Sequence, residues 1–77
     1  MPRLVRGTLK IPPTEDLATF QYKMLLKNYI YRAKISDNGS FEVLLRDLQD
    51  EDSLELLKKE FDVIEIREVI NIEKLEI

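Results

Sequence analysis

The chain has 77 residues, with 12 Lys/Arg against 15 Asp/Glu, and it contains no His and no Cys. A single domain of that size buries only about 60% of the surface its unfolded form exposes, leaving little length for a deep pocket. The missing Cys and His exclude a disulfide framework, a thiolate metal site and the commonest general base, and a net charge of −3 speaks against indiscriminate binding to nucleic acid.

No apolar run approaches the roughly 20 residues that span a bilayer. The start, MPRLVRGTLK, lacks the apolar core of a secretory signal. The expectation is a cytoplasmic protein with no membrane partner and no cofactor. Abundant Glu, Lys and Ile beside only two Gly and no Trp resemble a thermophile's composition.

Along the chain, RLVRGTLKI alternates with Val5, Leu9 and Ile11 on one parity and Arg6, Thr8 and Lys10 on the other. That period of two predicts a half-buried strand, ended by Pro12 and Pro13. Thr14 is then the expected cap of a helix over residues 14–28, with Glu15 and Asp16 at its positive end. Leu17, Phe20 and Met24 give that helix a core face. Ala18, Tyr22 and Leu25, with Leu26 nearby, form a second apolar stripe, and a helix apolar over so much of its girth usually touches more than one neighbour.

In YIYRAKISDNGSFEVLLRDL, a three-residue loop Asp37-Asn38-Gly39 places glycine where a left-handed residue is needed. It pairs Ile35 with Phe41, Ala33 with Val43 and Tyr31 with Leu45 on one face. The other face then carries Lys34 opposite Glu42 as a salt bridge, Arg32 opposite Leu44, and Ile30 opposite Arg46. A slip of one residue would expose the whole apolar set. A helix over residues 51–60 follows, capped by Asp50 or Asp52, with Leu54, Leu57 and Phe61 at i, i+3 and i+7. The final DVIEIREVINIEKLEI is rich in Ile and Val. Ile64 and Ile66 oppose Leu75 and Ile77 in parity, which predicts a bulge near Glu68 or Glu73. Residues 71–77 extend the last strand or form a fifth.

The order β-α-β-β-α-β is that of a single ferredoxin-like α+β domain over residues 1–77, a four-stranded antiparallel sheet with two helices on one face. On the open face the phasing gathers Arg6, Lys10, Arg32, Lys34, Arg46 and Arg67 against Glu42 and Glu65. Charge is also divided along the chain: residues 1–35 hold seven basic and two acidic side chains, residues 36–77 five and thirteen. The six cations are the candidate contacts to an anionic partner, RNA within a ribonucleoprotein foremost, because neutralised phosphates release counterions.

LVRGTLKIPPTEDLATF resembles the first strand, loop and helix start of an RNA-recognition-motif domain, and DNGSFEVLLRDLQDEDSLELL resembles its third strand and second helix. The resemblance covers about half the chain and implies an RNA-binding sheet face on which aromatic residues stack bases. Val5 occupies the first-strand aromatic position, and Phe41 points toward the core, so contacts here would be made by arginines to phosphates.

The alternative is a homodimeric structural or ligand-sensing domain with ACT-like topology and no nucleic-acid partner. Its contacts would come from Tyr22, Leu25 and Leu26, or from Ile72 by strand addition at the last strand. IPPTED replaces the glycine turn expected for amino-acid binding. Catalysis is the third reading: no Gly-rich phosphate loop and no Ser beside a base is present, and the carboxylates of DLQDEDSLE read as a solvated helix start.

Overall fold

The computed structural model describes residues 2–72. Six elements follow in order: β1 (Arg3–Leu9), α1 (Leu17–Leu25), β2 (Ile30–Ile35), β3 (Ser40–Leu45), α2 (Ser53–Glu60) and β4 (Val63–Asn71). The architecture is α+β. The sheet has the order β2-β3-β1-β4, and every neighbouring pair is antiparallel. The two edges are therefore β2 and β4. Since β1 and β2 both run against β3, they are parallel to each other, and α1 returns the chain between them.

One face of the sheet supplies the core. Val5 and Leu9 of β1, Ile35 of β2, and Phe41, Val43 and Leu45 of β3 join Phe20 and Met24 of α1 and Leu57 of α2 in one buried cluster. Both helices consequently lie over this face. Phe20 and Phe61 meet edge to face at 5.8 Å and 71°. Tyr29, buried between α1 and β2, donates its hydroxyl to Glu60 at 2.5 Å. Burial and then the Glu60 bond push its phenol well above the ordinary range. Glu60, held low mainly by that bond, also accepts from Lys27 at 3.3 Å.

Both helices start later than expected, and α1 also ends earlier, at Leu25 and not near residue 28, whereas α2 ends at Glu60 and takes Asp52, one of its two expected caps. α1 begins at Leu17 behind the cap Asp16, whose carboxylate accepts from the Thr19 N–H at 2.7 Å, and not behind Thr14. Glu15 N–H instead donates to Pro12 C=O, so Pro12 to Glu15 form a turn ahead of the helix. α2 is capped by Asp52, which accepts from Leu54 N–H at 3.0 Å and from Arg3 at 2.6 Å. The Arg3 bond, with the helix amide, holds the Asp52 carboxyl below its usual range.

The hairpin takes the register read from parity at four positions: Arg32↔Leu44, Ala33↔Val43, Lys34↔Glu42 and Ile35↔Phe41. Gly39 has φ +90°, and Asn38 Oδ1 accepts from Ser40 N–H. Two expected pairs are corrected. Ile30, not Tyr31, lies opposite Leu45, because the ladder shifts between Ile30 and Arg32. The shift turns Ile30 into the core and leaves Tyr31 half-buried at the edge, so Arg46 has no Ile30 partner.

β4 carries the second irregularity. Its pairing with β1 shifts between Arg6 and Gly7 and again between Thr8 and Leu9. Arg67 and Ile64 are the extra residues, and Ile64 is left 69% exposed. Ile72 does not offer its N–H to a partner strand, since it donates to Pro2 C=O at 2.8 Å. The alternative bulge at Glu73 and the proposed strand beyond residue 72 lie outside the described residues.

Two outcomes test this packing. A Cβ on Gly7 would come within 2.1 Å of the Glu65 carbonyl and 3.1 Å of the Phe41 ring. Gly7→Ala should therefore lower stability by about 2–3 kcal/mol in urea unfolding, the cost of overpacking against backbone; an unchanged midpoint would contradict the close β1–β4 approach. Asp16, Asp52 and Glu60 all have folded-state pKa values below their unfolded ones. Their stabilisation is complete above the unfolded values, about 4, and is lost as pH falls through the lower folded ones. The urea midpoint should hold from pH 7 to 5 and drop below 4, with a shallower drop in Asp52→Asn.

Candidate anion-binding face of the sheet

The face away from the helices is built in three rows by the strand register. The first runs Arg32, Leu44, Leu4, Ile70 from β2 to β4. The second runs Lys34, Glu42, Arg6, Glu68, and the third ends in Ser40, Thr8, Glu65. Directly opposed side chains in such rows stand about 5 Å apart and interact. The first row is an apolar strip with a cation at its β2 end, and Leu44 within it is buried. The second alternates in charge.

Arg6 occupies the middle of that alternating row. Its guanidinium binds Glu68 at 2.5 Å and Glu42 at 3.2 Å. These bonds, Glu68 first, raise its pKa further, so it is a cation at any accessible pH. Glu42 is thereby taken by Arg6, and the salt bridge expected between Lys34 and Glu42 is absent among the described residues. Arg67, displaced by its bulge, folds back across β1 and donates to Thr8 Oγ1 at 2.6 Å and to Gly7 C=O at 3.1 Å.

The six candidate cations are therefore not equivalent. Arg6, Arg32, Lys34 and Arg67 share the open face. Lys10 lies beyond the C-terminal end of β1, where its N–H donates to Asp62 C=O. Arg46 lies at the opposite end of the sheet, stacked on the Tyr31 ring at 4.3 Å. Glu68 joins Glu42 and Glu65 as a third carboxylate. Four cations against three carboxylates leave the face at +1, where the expected phasing of all four strands gave six against two.

Sequence reasoning missed Glu68 because one residue of bulge decides its face. The signal was present, in the opposed parities of Ile64/Ile66 and Leu75/Ile77. Among the described residues, Arg32 and Lys34 are exposed and have no carboxylate partner. They stand on the edge strand and flank an open groove of about 360 Å³ whose other walls include Leu4, Leu44 and Glu42.

The second set of candidates is on α1. Tyr22, Leu25 and Leu26 are 62%, 42% and 65% exposed. They make an unburied apolar stripe on a helix whose opposite side is core. Comparison with protein families, curated proteins and solved structures finds no match to this chain.

Proposed function

We propose that this protein is a non-catalytic binding module that takes an anionic partner on the β2 side of its open sheet face. The observation that carries the reading is the pair Arg32 and Lys34, exposed and without a carboxylate partner among the described residues, beside an open groove that Leu4, Leu44 and Glu42 also line. Arg46, fixed over Tyr31, extends the basic edge at one end. Arg6 and Arg67 are committed to internal partners and hold the sheet instead. The ferredoxin-like reading of the fold is supported by the β1-α1-β2-β3-α2-β4 order and by a third strand lying between each parallel pair. A non-catalytic role is supported by the absence of His and Cys.

RNA is the polyanion that tests this reading most directly. Fluorescence anisotropy with a labelled oligouridylate, titrated over salt, should give a log–log slope of about −1.5 to −2, since each neutralised phosphate on a single strand contributes about −0.7. Arg32→Glu with Lys34→Glu should abolish binding. Glu42→Gln with Glu68→Gln frees Arg6 and should steepen the slope by about 0.7. Affinity indifferent to both pairs of substitutions would overturn the assignment of the face.

A second reading, a homodimer of ACT-like topology, is favoured by the exposed stripe of Tyr22, Leu25 and Leu26. Sedimentation velocity should then show concentration-dependent association that Leu25→Ser with Leu26→Ser removes. A monomer throughout the accessible concentration range would dismiss it.

A further inference from the structure

Among the described residues the sheet has two free edges, and they are built differently. β4 is interrupted twice by extra residues, at Ile64 and Arg67. Bulges and charges of this kind turn an edge away from added strands. β2 is regular from Arg32 to Ile35. Ser36 N–H donates to Ser40 C=O, so residues 36 and 40 form a hydrogen-bonded pair. Alternation along an antiparallel ladder then directs the peptide groups of Ala33 and Ile35 away from β3, toward the open edge. Ile35 confirms this direction, since its N–H reaches Gln21 Oε1 of α1 at 3.3 Å. The helix satisfies that amide, and Ala33 is left facing outward.

The same hydrogen bond fixes what lies beside the edge. α1 runs antiparallel to β2, because it connects two parallel strands. Leu25 is one helical turn beyond Gln21, about 6 Å along the axis, the advance of two strand residues. Leu25 therefore stands level with Ala33, just below the edge on the helix side. Ala18 and Tyr22 continue this exposed apolar surface. Above the edge, on the open face, stand Arg32 and Lys34.

We infer that β2 accepts an extended segment of another protein as a fifth strand, with alternate residues acidic and apolar. This rests on the anionic-partner reading above and names the partner. The acidic side chains would meet Arg32 and Lys34, and the apolar ones would cover Leu25 and Tyr22. Main-chain bonds at Ala33 supply affinity, and alternating side chains supply specificity. A second copy's β2 does not fit. Antiparallel self-pairing that matches faces and centres on Arg32, Ala33 or Lys34 sets these cations opposite one another, which is destabilising, and centring on Ile35 meets the amide that Gln21 already holds. RNA cannot use the outward peptide groups or the helix shelf in this way.

The test uses the full chain and a fluorescein-labelled octapeptide of alternating Glu and Val. Anisotropy should show binding that weakens at least tenfold when Lys replaces Glu in the peptide. Arg32→Glu with Lys34→Glu should reverse that preference, and Leu25→Ser should weaken binding severalfold while circular dichroism stays unchanged. N-methylation of one alternate set of peptide amides should cost at least tenfold, and methylation of the other set should not. Equal effects of the two methylated sets would overturn strand addition. Oligouridylate bound without the peptide would overturn this inference and leave the anionic-partner reading standing, whereas rejection of both ligands would remove the two together. Self-association abolished by Arg32→Glu with Lys34→Glu would put a second copy on the edge and also overturn the assignment.

Discussion

The extra residue at Arg67 decides what the open face of the sheet can do. Without it, alternation would run on from Glu65 through Arg67, and Glu68 would turn toward the helices. With it, Glu68 lies opposite Arg6 and closes an alternating row that already contains Glu42. Arg6 is then held from both sides, and the displaced Arg67 is fastened to Thr8 and Gly7. A face that is basic by count becomes one whose central cations bind the sheet to itself. The pairs are exposed, so each contributes little to stability alone, but their consequence for recognition is large. The cations left for an outside partner are those that β1, β3 and β4 do not use.

That division moves the point of interest from the centre of the sheet to its β2 edge. Arg32 and Lys34 project from a strand with only one neighbouring strand, and the other side of the strand is open except where Gln21 covers Ile35. The connection from α1 to β2 is short and firmly held. Tyr29 is buried there and bonded to Glu60 of α2, which Lys27 also reaches. The start of β2 is thus anchored to both helices. Its position relative to Leu25 is a property of the packed core, which suits a docking edge that has to be in place before a partner arrives.

Much of the architecture was legible in the sequence because its signals were redundant. The hairpin illustrates this: apolar parity, the Asp37-Asn38-Gly39 loop and opposed charges all pointed to one register, and Gly39 does adopt the left-handed conformation. The helix starts were misplaced where two capping residues competed. Thr14 precedes Asp16 by two positions, and the Pro12 turn decides between them through a backbone bond that composition does not show. The site was less legible for a sharper reason. Side-chain facing along a strand has period two, so each bulge inverts everything after it. Tyr31, Ile64 and Arg67 are three such points, and they re-sorted Ile30, Arg46 and Glu68. Gln21 left no signal at all, because its role depends on the direction of one amide across the gap between helix and strand.

Charge also sets how long a segment the β2 edge can hold. The whole chain carries −3, so an anionic partner is repelled at distances where only net charge is felt. Attraction by Arg32 and Lys34 acts within a screening length of about 10 Å at 0.1 M salt. The two ends of β2 differ in charge. Asp37 occupies the turn that follows the strand, whereas Arg46, stacked on Tyr31 and bonded through its N–H to Tyr29 C=O, stands at the start. An acidic segment that runs on past the end of β2 meets the Asp37 carboxylate. Both cations lie within the six residues of β2, about 20 Å of extended chain, so a segment little longer than the strand gains all of their attraction. The edge is matched to a short linear segment, and long polyanions meet a field of mixed sign.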